Sequence, residues 1–421
     1  MKITIVAMGS RGDVEPYIAL GKGLKRAGHE VYMPVSEIFK EMVLNAGLIY
    51  FPIIGVDPKS FLRSKNIVEA RKKKSNVGFL MEMFKKIRPL AESYYKQIWE
   101  ACKGSDAIVS AFLYLFAYDS AEKLNIPCIQ SVLYPLYPTG EFPSIMIPFD
   151  TKNKRFNRFT HTLIWASLWG FAKKEINKAR KELLELNPYG FFGPYKKLAQ
   201  DKSPILLAFS PHVIPRPSDW VNKWMITGYF FNDDYEDYDP PEDLVNFINS
   251  GLKPVYIGFG SMTDNKPAKT TEMILEGLKL SGQRGIISIG WAGIGNYNLP
   301  DSVFLVDNVP HSWLFKNVSA TVIHGGAGTA AASMRAGVPT IITPFLGDQF
   351  YWGRQLHKLG VSPKPINFNK LTSERLADLI KTALTDEDMK MRAKELGEKI
   401  NSEDGVGNAV EIINNYLDSI S

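Results

Sequence analysis

Short apolar runs alternate with stretches of helical periodicity through the first half of the chain. Ile3–Met8, Val31–Val35, Tyr50–Ile54, Ala107–Ala111, Cys128–Leu133 and Ile205–Phe209 read as strands. Val14–Ala27, Glu37–Ala46 and Ala117–Leu124 carry helix patterns between some of them, and Gly28-His29-Glu30 supplies a helix stop. Strands that are apolar throughout, separated by helices, predict a parallel sheet covered by helices. The pattern breaks at Ser210-Pro211, where prolines recur up to Pro217, and the acidic, proline-bounded stretch Asp233–Pro241 follows. One short apolar piece, Trp224–Tyr229, lies between them and reads as part of a connection. The alternation then restarts: Val255–Phe259, Gly285–Ile289, Val303–Val306, Ala320–Ile323 and Thr340–Thr343 are strands, Thr270–Leu280 is helical, and Ser373–Ile420 is helical almost throughout.

At 421 residues the chain exceeds one ordinary core. The expected organisation is a first α/β domain over 1–210, a linker over 211–241, a second α/β domain over 242–400 and a terminal helix over 401–421. Ligands of doubly wound sheets bind at the carboxyl ends of the strands. Hydrophobic content of 45% and charged content of 22% describe a soluble globular protein, and a net charge of +6 does not by itself call for nucleic acid. Cys102 and Cys128 form neither a disulfide framework nor a metal cluster. Met1-Lys2-Ile3-Thr4-Ile5-Val6 enters a strand directly, which predicts no signal peptide and a cytoplasmic protein. The apolar stretch Thr162–Ala172 is far short of the ~20 residues of a membrane span.

The most informative segment is Val322-Ile323-His324-Gly325-Gly326-Ala327-Gly328-Thr329, followed at once by the helix former Ala330–Ala336. Strand, glycine turn and helix in that order aim free N–H groups and the positive end of a helix dipole at one spot, which suits a phosphate. His324 can add a ring N–H and Thr329 a hydroxyl. The next strand runs into Pro344-Phe345-Leu346-Gly347-Asp348-Gln349, so a carboxylate and an amide lie beside the same crevice, which suits a nucleotide sugar. The first loop, Met8-Gly9-Ser10-Arg11-Gly12-Asp13, lacks the Gly-x-Gly-x-x-Gly spacing of a dinucleotide site, but its glycines permit close approach to a ligand. Asp13 is either an N-cap or a general base. Gly260-Ser261 after a strand offers a close approach and a hydroxyl, or only a turn. Asp237-Tyr238-Asp239 has the form of a metal-holding Asp-x-Asp, but it lies in the acidic connection with no strand presenting it and reads as a solvated linker.

Basic residues crowd Lys59–Arg88, with Phe79, Leu80, Met83, Phe84 and Ile87 at helical spacing, and Lys152–Arg158, just before Leu163, Trp165, Leu168, Trp169 and Phe171. Segments 59–88 and 152–181 thus fit a solvated helix face over an ordinary core stripe, a peripheral contact with an anionic membrane at its inner face, or the lining of an acceptor pocket. Met81, Met83, Phe84, Tyr114, Phe116, Tyr134, Tyr137, Phe142 and Met146 are compatible with a broad greasy pocket and equally with core.

The chain resembles the family 1 glycosyltransferases of the GT-B class, most of all the sterol 3-beta-glucosyltransferases and the bacterial antibiotic glycosyltransferases. The resemblance rests on Asn308–Phe315, His324–Thr329, Pro344–Gly353, Gly9–Pro16 and Gly290-Trp291-Ala292-Gly293. It implies two Rossmann-like domains facing across a cleft, with a C-terminal helix over Asp404–Ile420 crossing back to the first. It implies that Asp13 stands where relatives carry the catalytic histidine or aspartate, and Asp119 where plant enzymes orient that histidine. Gly12, Ser261, Trp291, Val309, His324, Gly326, Ala327, Gly328 and Thr329 match the nucleotide site, with Val309 toward uracil. Asp348 and Gln349 match the pair on the sugar hydroxyls. Ala332 departs from the plant pattern, which has a ribose-binding glutamate there.

The activity so implied is inverting, metal-independent transfer of glucose from UDP-glucose to a hydroxyl of a sterol, steroid, terpenoid or phenolic acceptor. No cofactor beyond the donor and no nucleic acid is expected. The alternatives are an antibiotic or macrolide transferase using another UDP- or TDP-sugar, a non-catalytic nucleotide-sugar-binding or peripheral membrane protein, and an epimerase, for which the motifs supply no further acid and base groups.

Overall fold

The computed structural model describes residues 1–55, 85, 88–111, 115–233, 238–260, 267–288, 299–307 and 309–420. Ser261, Trp291, Asp237, Tyr114, Met81, Met83, Phe84 and most of segment 59–88 lie outside the described residues. The chain divides into two compact units, one ending at Asn232 and regaining Asp404–Ser421, the other running over Asp233–Glu403.

The sheet of the first unit orders its strands β3-β2-β1-β4-β5-β6-β7, all parallel. They are β1 Lys2–Val6, β2 Glu30–Val35, β3 Ile49–Pro52, β4 Ala107–Ala111, β5 Cys128–Val132, β6 Ile205–Leu207 and β7 Trp224–Ile226. Both faces are covered, which explains the uninterrupted apolar runs. Ile3, Ile5, Ala107 and Val109 point to one core with the helix Arg11–Arg26. Val6 and Ile108 point to the other, with the helices Ala91–Cys102 and Leu115–Leu124. The seventh strand corrects the expectation that Trp224–Tyr229 belongs to an inter-domain connection. Leu207 pairs with Ile226 in the sheet, and the unit extends through Asn232. As an edge strand with half-exposed residues, β7 tolerates neighbouring prolines, and its sequence therefore reads like a linker.

The terminal helix Gly405–Ile420 completes the first core with Ala409, Ile413 and Leu417. Asn408 Nδ2 donates to the Thr227 carbonyl at 2.8 Å, and the His29 and Asn414 side chains meet at 2.8 Å. The middle of the chain also forms a single helix, Lys154–Glu182, whose start is capped by the Asn153 side chain accepting the Phe156 N–H at 3.0 Å.

The sheet of the second unit has the order β10-β9-β8-β11-β12, again parallel, from β8 Val255–Gly258, β9 Gly285–Ser288, β10 Val303–Val306, β11 Ala320–Ile323 and β12 Thr340–Ile342. Val255, Ile257, Ala320, Val322 and Ile341 meet Ile274, Leu278, Leu376 and Ile380 from the helices Pro267–Ser281 and Ser373–Thr385. No described helix is long and apolar enough to cross a membrane.

Because Ile413 is fully buried in the first core, Ile413→Ala is expected to cost ~2–4 kcal/mol of stability in a denaturant titration. An unchanged transition would mean that the terminal helix does not hold that core.

Candidate active site

In the second unit, β11 ends at Ile323 and the helix Ala327–Arg335 begins four residues later, with Gly326 as its N-cap. The first paired amide is that of Ala330, which donates to the Gly326 carbonyl at 2.9 Å. The N–H groups of Ala327, Gly328 and Thr329 therefore have no intrahelical acceptor, as the start of any helix dictates. No described side chain caps them. Gly328 is exposed and Thr329 half-buried, so this end of the helix is open to a ligand.

Buried contacts fix where that helix starts. Gly325 has φ of +90°, and a Cβ there would stand 2.8 Å from Ile342 Cγ2 and 3.2 Å from the Gln349 carbonyl oxygen. Only glycine fits the turn. Behind it, the hydroxyls of Thr321, Ser333 and Thr340 form a chain of two 2.6 Å hydrogen bonds. All three residues are fully buried, and they join β11, the helix and β12.

The His324 ring is walled by glycines. A Cβ on Gly326 would lie 2.6 Å from its Nε2, and one on Gly260 would lie 2.9 Å from its Cε1. Burial, with the nearby His311 second, lowers the His324 pKa to about 4. The imidazole is therefore neutral near pH 7, with one N–H to donate and one lone pair. Its Nδ1 is buried without a hydrogen-bond partner among the described residues. His311 itself stacks on Phe315 at 4.4 Å, and the half-buried Val309 precedes its short helix His311–Leu314.

The helix Gln349–Lys358 starts beside this loop, with Asp348 as N-cap. Asp348 is half-buried. The Gln349 side chain is turned inward: its Oε1 accepts the Phe345 N–H at 2.8 Å and the Leu346 N–H at 3.3 Å. Its carbonyl oxygen thus shapes the 344–348 loop. The structure brings Gly325 and Gln349 into backbone contact, so the proposed phosphate seat and the Asp348-Gln349 corner are neighbours.

In the first unit, the helix after β1 begins at Arg11, three residues earlier than its apolar pattern predicts, and takes in Gly12 and Asp13. Ser10, not Asp13, is the N-cap. Asp13 Oδ2 accepts both the Ser10 N–H and the Ser10 hydroxyl at 2.8 Å, as the third residue of a capping box can. Burial raises the Asp13 pKa and outweighs the opposing hydrogen bonds from Ser10. Capping and a poised base are thus compatible in one side chain.

Asp119 has a different setting. It is fully buried; Arg180 and the Tyr189 hydroxyl bond its Oδ1, and the Tyr95 hydroxyl donates to its Oδ2 at 2.8 Å. Arg180 also bonds Glu122 Oε2 at 2.9 Å and lies over the Tyr189 ring, 3.7 Å from its centroid. No hydrogen bond joins Asp119 to Asp13 among the described residues. Both carboxylate oxygens are spent on knitting three helical segments together, so the expected catalytic partnership is replaced by an architectural role. Nothing local in the sequence points to Arg180, 61 residues away.

Of the aromatic residues weighed as pocket lining, Tyr137 is buried, and Phe116 and Phe142 are half-buried against other rings. The Tyr137 hydroxyl donates to Gln130 Oε1 at 2.6 Å, and its ring stands 4.7 Å from Trp224 and 5.9 Å from Trp165. Phe116 packs on Tyr95 at 4.1 Å, and Phe142 meets Trp220 at 6.4 Å. Tyr134 and Met146 are half-buried.

Comparison with known proteins agrees with this layout. Residues 3–143 match the glycosyltransferase family 28 N-terminal domain, and residues 291–415 match the erythromycin biosynthesis protein CIII-like C-terminal domain. Solved structures of similar fold include the glycosyltransferase of kitacinnamycin, with a TM-score of 0.72 at 18% identity and 98% of each chain covered. The calicheamicin glycosyltransferase CalG4 has a TM-score of 0.69 at 14% identity, with 100% of this chain and 99% of that chain covered. Sterol 3-beta-glucosyltransferase UGT80A2 of Arabidopsis thaliana is 37% identical over 100% of this chain and 66% of its own length. The same plant's UGT80B1 is 35% identical over 99% of this chain and 68% of its own length. The Cryptococcus neoformans sterol 3-beta-glucosyltransferase is 34% identical over 98% of this chain, which spans only 27% of that longer protein. With two parallel-sheet Rossmann-like units of the GT-B type and this similarity along the chain, the protein belongs to the glycosyltransferase family of the sterol 3-beta-glucosyltransferases.

Proposed function

We propose that the chain transfers glucose from UDP-glucose to a hydroxyl of a sterol or a similarly apolar acceptor, with inversion at the anomeric carbon and without a metal. The observation that carries this reading is the set of three unpaired amides at Ala327–Thr329 beside a neutral, half-buried His324. In the reaction the acceptor oxygen attacks the anomeric carbon as the bond to the diphosphate breaks. Positive charge grows on the sugar and negative charge on the departing diphosphate. Amide donors and the helix dipole oppose that negative charge, and being fixed beforehand they need no reorganisation. The His324 ring can donate one further N–H. Asp348 is the candidate for the sugar hydroxyls, with the Gln349 amide group beside it.

Asp13 takes the acceptor proton as the new bond forms. An ordinary aspartate with pKa ~3.9 is a poor match for this task near neutrality, and burial moves Asp13 in the useful direction. A single displacement from an α-linked donor yields a β-glucoside. An acceptor carried in lipid also accords with peripheral association at an anionic membrane. A transferase for antibiotic or macrolide acceptors using a TDP-sugar is separated from this reading by running both donors against one acceptor panel with mass detection of product.

Asp13→Asn is expected to lower kcat by about 10²-fold or more while UDP affinity, read by calorimetry, is retained. Near-normal turnover would remove Asp13 from the role. The base form is lost as pH falls through the raised pKa, so the acidic limb of kcat/KM should lie above ~3.9. The sign for stability is opposite: burial penalises the charged form, a penalty that sets in as pH rises through that value. Asp13→Asn should therefore melt no lower than the parent at neutral pH.

His324 should titrate by NMR with a midpoint of about 4 in the ligand-free protein. The stability linked to its neutral state is present above ~6.5 and lost as pH falls through that lowered value. A midpoint near the ordinary histidine value would contradict the neutral donor.

A further inference from the structure

The first third of the helix Lys154–Glu182 is built inside out. Its buried side is polar: Asn157 Nδ2 donates to the Gly140 carbonyl at 2.8 Å, the Thr160 hydroxyl oxygen accepts the Ser144 N–H at 2.9 Å, and His161 meets the Phe142 carbonyl at 3.2 Å. Its outer side is apolar. Phe156, Phe159 and Leu163 follow one another at i, i+3 and i+7, hence on one stripe, and are 39%, 57% and 48% exposed. Phe149, 52% exposed, stacks on Phe156 at 6.3 Å and widens the stripe. Further along the same helix, the turn at Phe191 and Phe192 leaves both rings bare, at 77% and 83% exposure. The Trp169 Nε1–H holds that turn by donating to the Phe191 carbonyl at 2.8 Å, and Lys173 Nζ lies over the Phe191 ring. A solvated helix face, the plain alternative from the sequence, has no reason to put its phenylalanines outward and its asparagine and threonine inward.

Charge indicates what covers the stripe. Lys152, Lys154 and Arg155 stand at its edge, exposed, and have no ion-pair partner among the described residues. Lys174, also exposed and unpaired among them, lies farther along the helix. Aromatic rings bracketed by free cations fit the boundary of a bilayer, where rings enter between headgroups and cations meet phosphates.

We propose that the outer face at the start of helix Lys154–Glu182, with Phe149 and the Phe191–Phe192 turn, docks this protein on a membrane that carries anionic headgroups. This deepens the transferase reading, on which it rests for its purpose, since a sterol acceptor resides in such a membrane. The docking itself is measured without donor or acceptor.

The test is co-sedimentation of the full chain with vesicles of phosphatidylcholine alone and of phosphatidylcholine mixed with phosphatidylglycerol. The mixed vesicles should bind about tenfold more tightly or better, with affinity falling as sodium chloride rises. Phe156→Ser with Phe159→Ser, and Phe191→Ser with Phe192→Ser, should each weaken binding about tenfold with the melting temperature unchanged. Lys154→Ser with Arg155→Ser should remove most of the preference for the anionic vesicles. Equal affinity for both vesicles, no binding, or binding untouched by these variants would overturn the proposal. So would a large fall in melting temperature in the phenylalanine variants, since it would show the rings to be covered by protein. Vesicle binding without sugar transfer to a detergent-dispersed sterol would leave the docking surface standing and remove the sterol as the acceptor.

Discussion

The site of the second unit depends on backbone amides that the fold leaves without acceptors. Every helix begins with such groups, and most proteins satisfy them with a side chain or leave them to solvent. Here the residue in the capping position is Gly326, which has no side chain to offer, and the glycine before it is hemmed in. Gly325 is pressed between Ile342 and the backbone of Gln349, while the Thr321–Ser333–Thr340 hydroxyl chain fastens the helix to both flanking strands. The donors are thus rigid before any ligand arrives, which is the condition for electrostatic stabilisation without reorganisation.

The same logic of burial sets the two titrating groups. His324 is driven toward the neutral form and Asp13 toward the protonated form, in each case because desolvation disfavours charge. For the histidine this secures an uncharged donor beside the free amides. For the aspartate it moves the pKa in the direction that the proposed base requires. Asp119 shows the contrary outcome: burial also raises it, but Arg180 and two tyrosine hydroxyls oppose the shift and occupy both oxygens. Two aspartates that follow neighbouring parallel strands therefore have different settings, one bonded to Ser10 at a helix start and one bonded through both oxygens to Arg180 and two tyrosines.

Much of this was legible in the residues themselves. Parallel strands buried on both faces are apolar without interruption, so eleven short runs marked the cores of both sheets within a residue or two at each end. The His324–Thr329 turn announced itself because its glycines and the following alanine-rich helix are adjacent in sequence. What escaped was non-local or at an edge. Trp224–Ile226 pairs with β6 while sitting among prolines, and reads like a linker. The partners of Asp119 come from helices far along the chain, so no spacing reveals them. The Gln349 amide looked free for a ligand because its acceptors and donors are visible only once the 344–348 loop is folded. Aromatic residues between 134 and 224 could have lined a pocket or filled a core, and burial decides for core at Tyr137, Trp169 and Trp220.

On the proposed function, a nucleoside diphosphate rests on the amides of Ala327, Gly328 and Thr329. This is tested most directly by titrating UDP into isotopically labelled protein and following those three amide resonances. These three resonances should move in step with binding and further than the other amides of the second unit. Saturable UDP binding that leaves all three in place would contradict it.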